Sequence, residues 1–254
     1  MHRILFEIGP FTVYSYGLTV AAGFLLSSVM VLYDSEKFGL SKDSVFDCLI
    51  AILAGGIIGG RLLFVAINWQ EYAQHPVRIF MLTEGGMAFH GSLAGAVICG
   101  GAVARIKKLP FWKTADLVAP YIALGQAVGR IGCLLNGCCY GKAIIGGMGI
   151  VFPGETIMRV PTQIYSSVFL LFLYVVLIEL RQRRKFDGFV FSMYVIFYAA
   201  FRFFIEFYRG DTPPVFFDLT LAQIISIAMF ICGLIMLWKK SAVRNEGTEV
   251  YDRR

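Results

Sequence analysis

Apolar residues in this chain come in long unbroken blocks rather than on alternating faces. Seven stretches, roughly 13–33, 45–67, 86–104, 114–133, 161–180, 189–208 and 219–238, are apolar nearly all round. Each is long enough to cross the ~30 Å hydrocarbon layer of a bilayer as a helix. A helix that is apolar on every side is a membrane span, not a surface helix of a soluble domain. Short polar links separate the blocks, except for the glycine-rich connection 134–160, which has Pro153 near its middle. No fixed-period repeat stands out. The pattern predicts an all-α polytopic membrane protein, a bundle of seven transmembrane helices in one domain over 1–238, with a charged tail over 239–254.

Composition agrees, with 57% hydrophobic and 16% charged residues, against ~25% charged in soluble domains. The net charge of +6 does not call for nucleic acid, because no basic stripe with interleaved aromatics occurs and cytoplasmic loops of membrane proteins are basic by rule. The first apolar block lacks a cleavage site behind a basic head, so no cleavable signal peptide is expected. Lysine and arginine then predict orientation. The links after the first, third, fifth and seventh blocks hold fifteen, whereas the N-terminus and the other links hold five: Arg3, Arg78, Lys142, Arg159 and Arg209. This bias places the N-terminus outside and the C-terminus in the cytoplasm.

Arg61, Arg130 and Arg202 fall inside the blocks. A guanidinium stays charged at any ordinary pH, and an arginine at membrane depth costs between ~3 and ~10 kcal/mol unless it is paired or hydrated. With orientation assigned, Tyr16, Arg61, His90, Arg130, Arg202 and Glu206 come from five helices yet share one depth, the outer half of the membrane. Tyr198, Arg202, Glu206 and Arg209 recur at helical spacing and lie on one face; Gln126 and Arg130 share another. Guanidinium groups match phosphate oxygens bidentately, and more strongly in a low-dielectric pocket. Several arginines against one clear acid, Glu206, therefore read as a site for a phosphate entering from the outer leaflet. The competing structural reading is an internal salt-bridge network such as Arg202–Glu206. His90 fits either a proton acceptor or a hydrogen-bonded structural group. The glycines at 55, 56, 59 and 60 and at 91, 95, 100 and 101 read as close helix packing. Asp47 and Asp116 lie at the opposite, cytoplasmic ends of their spans.

Cys48, Cys99 and Cys232 sit inside apolar blocks and read as small hydrophobes. No pair of CxxC motifs followed by histidine occurs, so zinc is not expected. For Cys133, Cys138 and Cys139 several readings are open: a vicinal disulfide, a pairing of Cys133 with one of the others, small packing side chains, or thiol chemistry.

Taken in order, these residues resemble the bacterial prolipoprotein diacylglyceryl transferase family. The resemblance runs through Tyr16-Gly17-Leu18, Gly59-Gly60-Arg61, Phe89-His90-Gly91, Asp116 and Gly129-Arg130-Ile131-Gly132. It continues through Pro161-Thr162-Gln163-Ile164-Tyr165, Arg202-Phe203, Glu206-Phe207, Arg209, and Leu219-Thr220 with Gln223. It implies a transferase of the bacterial inner membrane that moves the diacylglyceryl group of phosphatidylglycerol onto the lipobox cysteine thiol of a preprolipoprotein. The products would be a thioether and glycerol 1-phosphate, with no cofactor or metal required. It implies catalytic roles for His90, Arg130, Tyr198 and Arg202. It implies substrate binding by Tyr16, Arg61, Asn136, Gly141, Glu206 and Arg209, with the site toward the outer leaflet and precursor signal peptides and membrane lipid as partners. The chain departs from the family signature in one stretch. Cys133 stands where asparagine is usual, Leu134 where phenylalanine is, and Cys138 where glutamate is. The missing carboxylate leaves Glu206 or Glu84 to cover that charge. The alternatives are a paralogue acting on another lipid or acceptor, and a small anion transporter. Against the transporter, the charges gather at one side and no inverted repeat is visible.

Overall fold

A computed structural model describes residues 4–8, 11–81, 85–146, 149–152, 156–210 and 212–252. Glu84 and Pro153 therefore lie outside the described residues. Two short strands, β1 (Ile4–Ile8) and β2 (Phe11–Tyr14), lead into α1 (Ser15–Ser35) and then α2 (Lys42–Ile67). A short helix α3 (Trp69–Gln74) and a 3-10 turn at Pro76–Phe80 precede α4 (Phe89–Ile106) and α5 (Phe111–Asn136). The connection after α5 carries β3 (Ala143–Ile144), β4 (Ile150–Val151) and β5 (Met158–Arg159), with β5 between the other two. Helices α6 (Thr162–Gln182) and α7 (Phe189–Glu206) follow. The hairpin of β6 (Pro214–Phe216) and β7 (Leu219–Thr220) then enters α8 (Leu221–Asp252).

Seven of these helices, all but α3, are long and apolar enough to cross a membrane. Each coincides with one predicted block. The strands are additions to that picture, since pieces of two to five residues are too short to carry a periodic signal. The chain divides into two compact units, one of residues 1–8, 13–31 and 115–254, the other of 9–12 and 32–114.

In the second unit α2 and α4 pack through glycine. A Cβ on Gly55 would lie 2.7 Å from the Cβ of Cys99, and one on Gly59 would lie 2.9 Å from the Cα of Gly95. A Cβ on Gly95 would collide with the carbonyl oxygen of Gly55. The backbones thus approach as closely as small-residue interfaces allow, which bears out the packing reading for Gly55, Gly59 and Gly95, whereas Gly101, with nothing within 4 Å of a Cβ, does not pack this way. Ser41 caps α2, its hydroxyl accepting from the Ser44 N–H at 3.4 Å. Near the start of α2, Asp47 forms an ion pair with Lys107 at 2.5 Å.

The first unit has a core of Ala119, Ala123 and Ala127 from α5, Leu170, Leu173 and Leu177 from α6, and Val190, Tyr194 and Val195 from α7. Alanine every fourth residue keeps one face of α5 flat, so its neighbours' larger side chains can seat against it. Hydroxyls reinforce the contacts: Ser167 donates to the Ala127 carbonyl at 2.9 Å and Ser27 to the Tyr121 carbonyl at 2.8 Å. Asp116 is fully buried in α5. Its carboxylate accepts the N–H of Gly188 at 2.8 Å and of Phe191 at 2.9 Å. It is the N-terminal cap of α7, supplied by a neighbouring helix, and it satisfies two donors that a helix start leaves orphaned. Gly188, at φ +99°, makes the turn that a side chain would resist.

Two stability predictions follow from these contacts. Asp116→Ala should lower stability by about 2 kcal/mol, with Asp116→Asn retaining part of it, read as thermal unfolding in detergent. Gly95→Ala should lower the unfolding temperature. Gly101→Ala, whose Cβ meets nothing within 4 Å, should leave it unchanged or raise it.

Candidate active site

Helix α7 brings its polar stripe to one place. Arg202 and Glu206 pair one turn apart, and Arg209 Nε lies 3.8 Å from the same carboxylate oxygen. The other Glu206 oxygen accepts from the Thr220 hydroxyl at 2.9 Å. Thr220 is itself tied to Gln223, whose Oε1 accepts the Thr220 N–H at 2.9 Å. Glu206 has a side chain with no exposed surface, so an unpaired charge there would be costly, and two arginines and a hydroxyl offset it. This arrangement bears out Arg202–Glu206 as a structural ion pair. One turn before Arg202, Tyr198 stacks on Tyr194 with ring centroids 5.7 Å apart, and Tyr194 donates to Gln126 of α5 at 3.1 Å.

Arg130, on α5, lines one recess with Tyr198, Arg202 and Arg209. Cys139 and Thr162 contribute polar atoms to the same wall, and Leu170, Phe201 and Ile205 supply its apolar part. Glu206 is shared between Arg202 and Arg209, whereas Arg130 makes no ion pair among the described residues. The recess therefore presents a guanidinium with unused hydrogen-bonding capacity beside a second one held in position. Such a site suits a tetrahedral oxyanion, which accepts several charge-assisted hydrogen bonds at once.

The loop after α5 completes the wall. Gly137, at φ +72°, turns the chain back, and the Cys138 N–H bonds to the Cys133 carbonyl at 3.1 Å. Cys139 follows at φ +64°, an uncommon conformation for a residue with a Cβ. Two side chains at the start of α6 hold this turn: Gln163 Nε2 donates to the Cys138 carbonyl and the Thr162 hydroxyl to the Cys139 carbonyl, each at 2.7 Å. The sulfurs of Cys133, Cys138 and Cys139 all lie within 4.8 Å of one another, and none is in a disulfide. Hydrogen bonds with the Cys133 and Cys138 thiols hold the Cys139 thiol below its ordinary range against the opposing effect of burial; Arg209 and Arg130 act in the same direction. Asn136 ends α5 within hydrogen-bond reach of Cys138. Tyr16, near the start of α1, packs by the α5 end, where a Cβ on Gly132 would lie 3.4 Å from its ring.

Gly141 is pinned by backbone. Its N–H donates to Val160 at 2.8 Å, and the next N–H, of Lys142, donates to Tyr208 at 2.7 Å. A Cβ there would fall 2.6 Å from the Tyr208 carbonyl oxygen. Its position therefore joins the loop to the end of α7, behind Arg209.

Two expected site residues belong to the second unit. Arg61 is buried, and all five of its N–H groups are used on backbone carbonyls. Nε donates to Ile79, Nη1 to Gly85 and Gly86, and Nη2 to Arg78 and Met81. This arginine needs no anion, because it ties the segment after α3 to α2. His90 stands exposed on the first turn of α4, its ring edge-to-face with Phe89 at 5.6 Å.

Sequence reasoning assigned no role to Thr162, Gln163 or Thr220. Their signal was there in principle, as polar residues opening otherwise apolar helices, the positions where a buried hydroxyl or amide must find a partner.

Fold and site together define a multi-pass membrane protein with an anion-seeking recess of arginines. The family model for prolipoprotein diacylglyceryl transferase matches residues 3–239. A phosphatidylglycerol–prolipoprotein diacylglyceryl transferase of Halalkalibacterium halodurans is 34% identical over 261 residues, covering 99% of this chain and 90% of its own length. A relative from Bacillus velezensis bearing the same name is 35% identical over 247 residues. A Clostridium perfringens relative, named as transferase 2, is 35% identical over 242 residues and matched over 94% of its length. The chain belongs to the prolipoprotein diacylglyceryl transferase family.

Gly141→Ala should destabilise the loop by about 1–3 kcal/mol, because the obstructing atoms are backbone and Val160 Cβ. Arg61→Lys should fail to substitute, since an ammonium offers three donors and not a planar fork. The expected result is faster proteolysis within 76–81, measured by limited digestion.

Proposed function

We propose that the protein transfers the diacylglyceryl group of phosphatidylglycerol to the lipobox cysteine thiol of preprolipoproteins, releasing glycerol 1-phosphate. The observation that carries this reading is Arg130: a guanidinium without an ion pair among the described residues, sharing a recess with Arg202, in a member of this family. The distribution of lysine and arginine supports an inner-membrane protein with its N-terminus outside and the recess toward the outer leaflet. There it would meet both anionic lipid and the signal peptides of secreted precursors.

The reaction displaces a phosphate from a glycerol carbon by a sulfur nucleophile. The thiol must first lose its proton; His90 and Tyr198 are the groups proposed to handle it. Arg130 would hold the lipid phosphate. Arg202, fixed by Glu206, would stabilise the charge that gathers on the leaving oxygen. Arg209 steadies the same carboxylate. Tyr16, Asn136 and Gly141 are proposed to contact the substrate. The three clustered cysteines, of which Cys139 lines the recess, keep a second reading in view, in which the same chemistry serves another lipid or acceptor.

The test is thioether formation on a lipobox peptide by purified protein in phosphatidylglycerol vesicles. Arg130→Ala and Arg202→Ala should each lower the rate about 100- to 1,000-fold. Arg130→Lys should recover only part of the loss, because a point charge lacks the bidentate fork. Wild-type rates in both alanine variants would remove the assigned roles. No transfer by the intact protein, with transfer from a different lipid, would favour the second reading.

A further inference from the structure

We propose that Cys133, Cys138 and Cys139 form a binding site for a thiophilic divalent cation, zinc, with its fourth position open to the arginine recess. The spacing of these residues is not that of a zinc motif, and only the fold brings them together. Their three sulfurs lie within 4.8 Å of one another. A tetrahedral zinc with Zn–S bonds of ~2.3 Å needs sulfurs ~3.8 Å apart, so small side-chain rotations close the site. Sulfur donors select soft ions over magnesium or calcium.

The surroundings hold the donors in place. Cys133 is fixed on the last turn of a helix, and the Cys138 N–H returns to its carbonyl at 3.1 Å. Gln163 and Thr162 restrain the next two carbonyls at 2.7 Å each. Cys139 keeps a left-handed backbone at φ +64°, a conformation that persists when the surrounding structure over-determines it. Three thiolates around a divalent cation carry a net negative charge. Arg130 and Arg209 line the recess that Cys139 also lines, so this charge has cationic neighbours.

Three protein ligands with one open position is the arrangement of reactive zinc sites, whereas structural sites are closed by four. The open position suits a thiol, and this part of the inference rests on the transferase reading. The acceptor thiol would bind as thiolate, its proton passing by way of His90 or Tyr198, the groups proposed above to handle it, to water. The sulfur then donates an electron pair to the glycerol carbon. The bond from that carbon to the phosphate oxygen breaks, its electrons staying on glycerol 1-phosphate, which takes up a proton from water. The product sulfur is a neutral thioether, a weaker ligand than thiolate, and leaves the metal.

Metal analysis of the full chain, purified in mild detergent without chelator, tests the site. About one zinc per chain is expected, falling well below that in Cys138→Ser and Cys139→Ser and unchanged in Cys48→Ser. Cadmium added to chelator-treated protein should give a thiolate-to-metal absorption band in the wild type and not in Cys139→Ser; this readout needs no activity and uses protein checked for folding by gel filtration. Transfer to a lipobox peptide should fall at least about 10-fold on chelation and return with zinc. Absence of zinc together with no cadmium band, or a disulfide among these cysteines in native protein, would overturn the site. Full transfer by metal-free protein would overturn its part in the reaction and leave the transferase reading intact. Cysteine-dependent zinc with no transfer from phosphatidylglycerol would support the site and defeat the transferase reading.

Discussion

An arginine that cannot discharge, set in a helix of apolar residues, must be given an anion or enough acceptors. The chain answers this requirement in three ways. Arg61 is given carbonyl oxygens, one for each N–H. Arg202 is given a carboxylate from its own helix, shared with Arg209. Arg130 is given neither among the described residues, and it faces a recess. The difference between these three solutions separates structure from site. It follows from elementary electrostatics in a low-dielectric setting, where an unsatisfied charge is expensive.

Glu206 governs how the recess works. Its carboxylate is fully buried and holds two cations and a hydroxyl. Arg202 is thereby placed: Glu206 holds its guanidinium while the same side chain lines the recess beside Arg130. Around it, the capping of α7 by Asp116 and the alanine face of α5 fix the two helices that carry Arg202 and Arg130. Stability features and site features are thus the same contacts seen at different ends of the helices.

Much of this was legible in the sequence. All-round apolarity gave seven spans, since a membrane helix must satisfy its backbone internally and shows a long uniform signal. Helical spacing put Tyr198, Arg202, Glu206 and Arg209 on one stripe. What stayed hidden depends on tertiary contact. Arg61 and Arg130 look alike as lone arginines in apolar blocks; only the path of the segment after α3 reveals that one is saturated. Cys133, Cys138 and Cys139 converge because Gly137 and Cys139 adopt left-handed backbone and α6 holds the turn, which no motif spacing announces. The strands of the loops, two to five residues each, lie below the length at which periodicity speaks.

Arg130 is proposed to take a lipid phosphate as its anion. The most direct measurement is lipid retention by native mass spectrometry after purification from mixed vesicles of phosphatidylglycerol and a zwitterionic phospholipid. The wild type should retain phosphatidylglycerol selectively, and Arg130→Ala should lose it while folding normally and while an Arg105→Ala control keeps it. Equal retention by folded Arg130→Ala would rule out a lipid phosphate as the partner of Arg130.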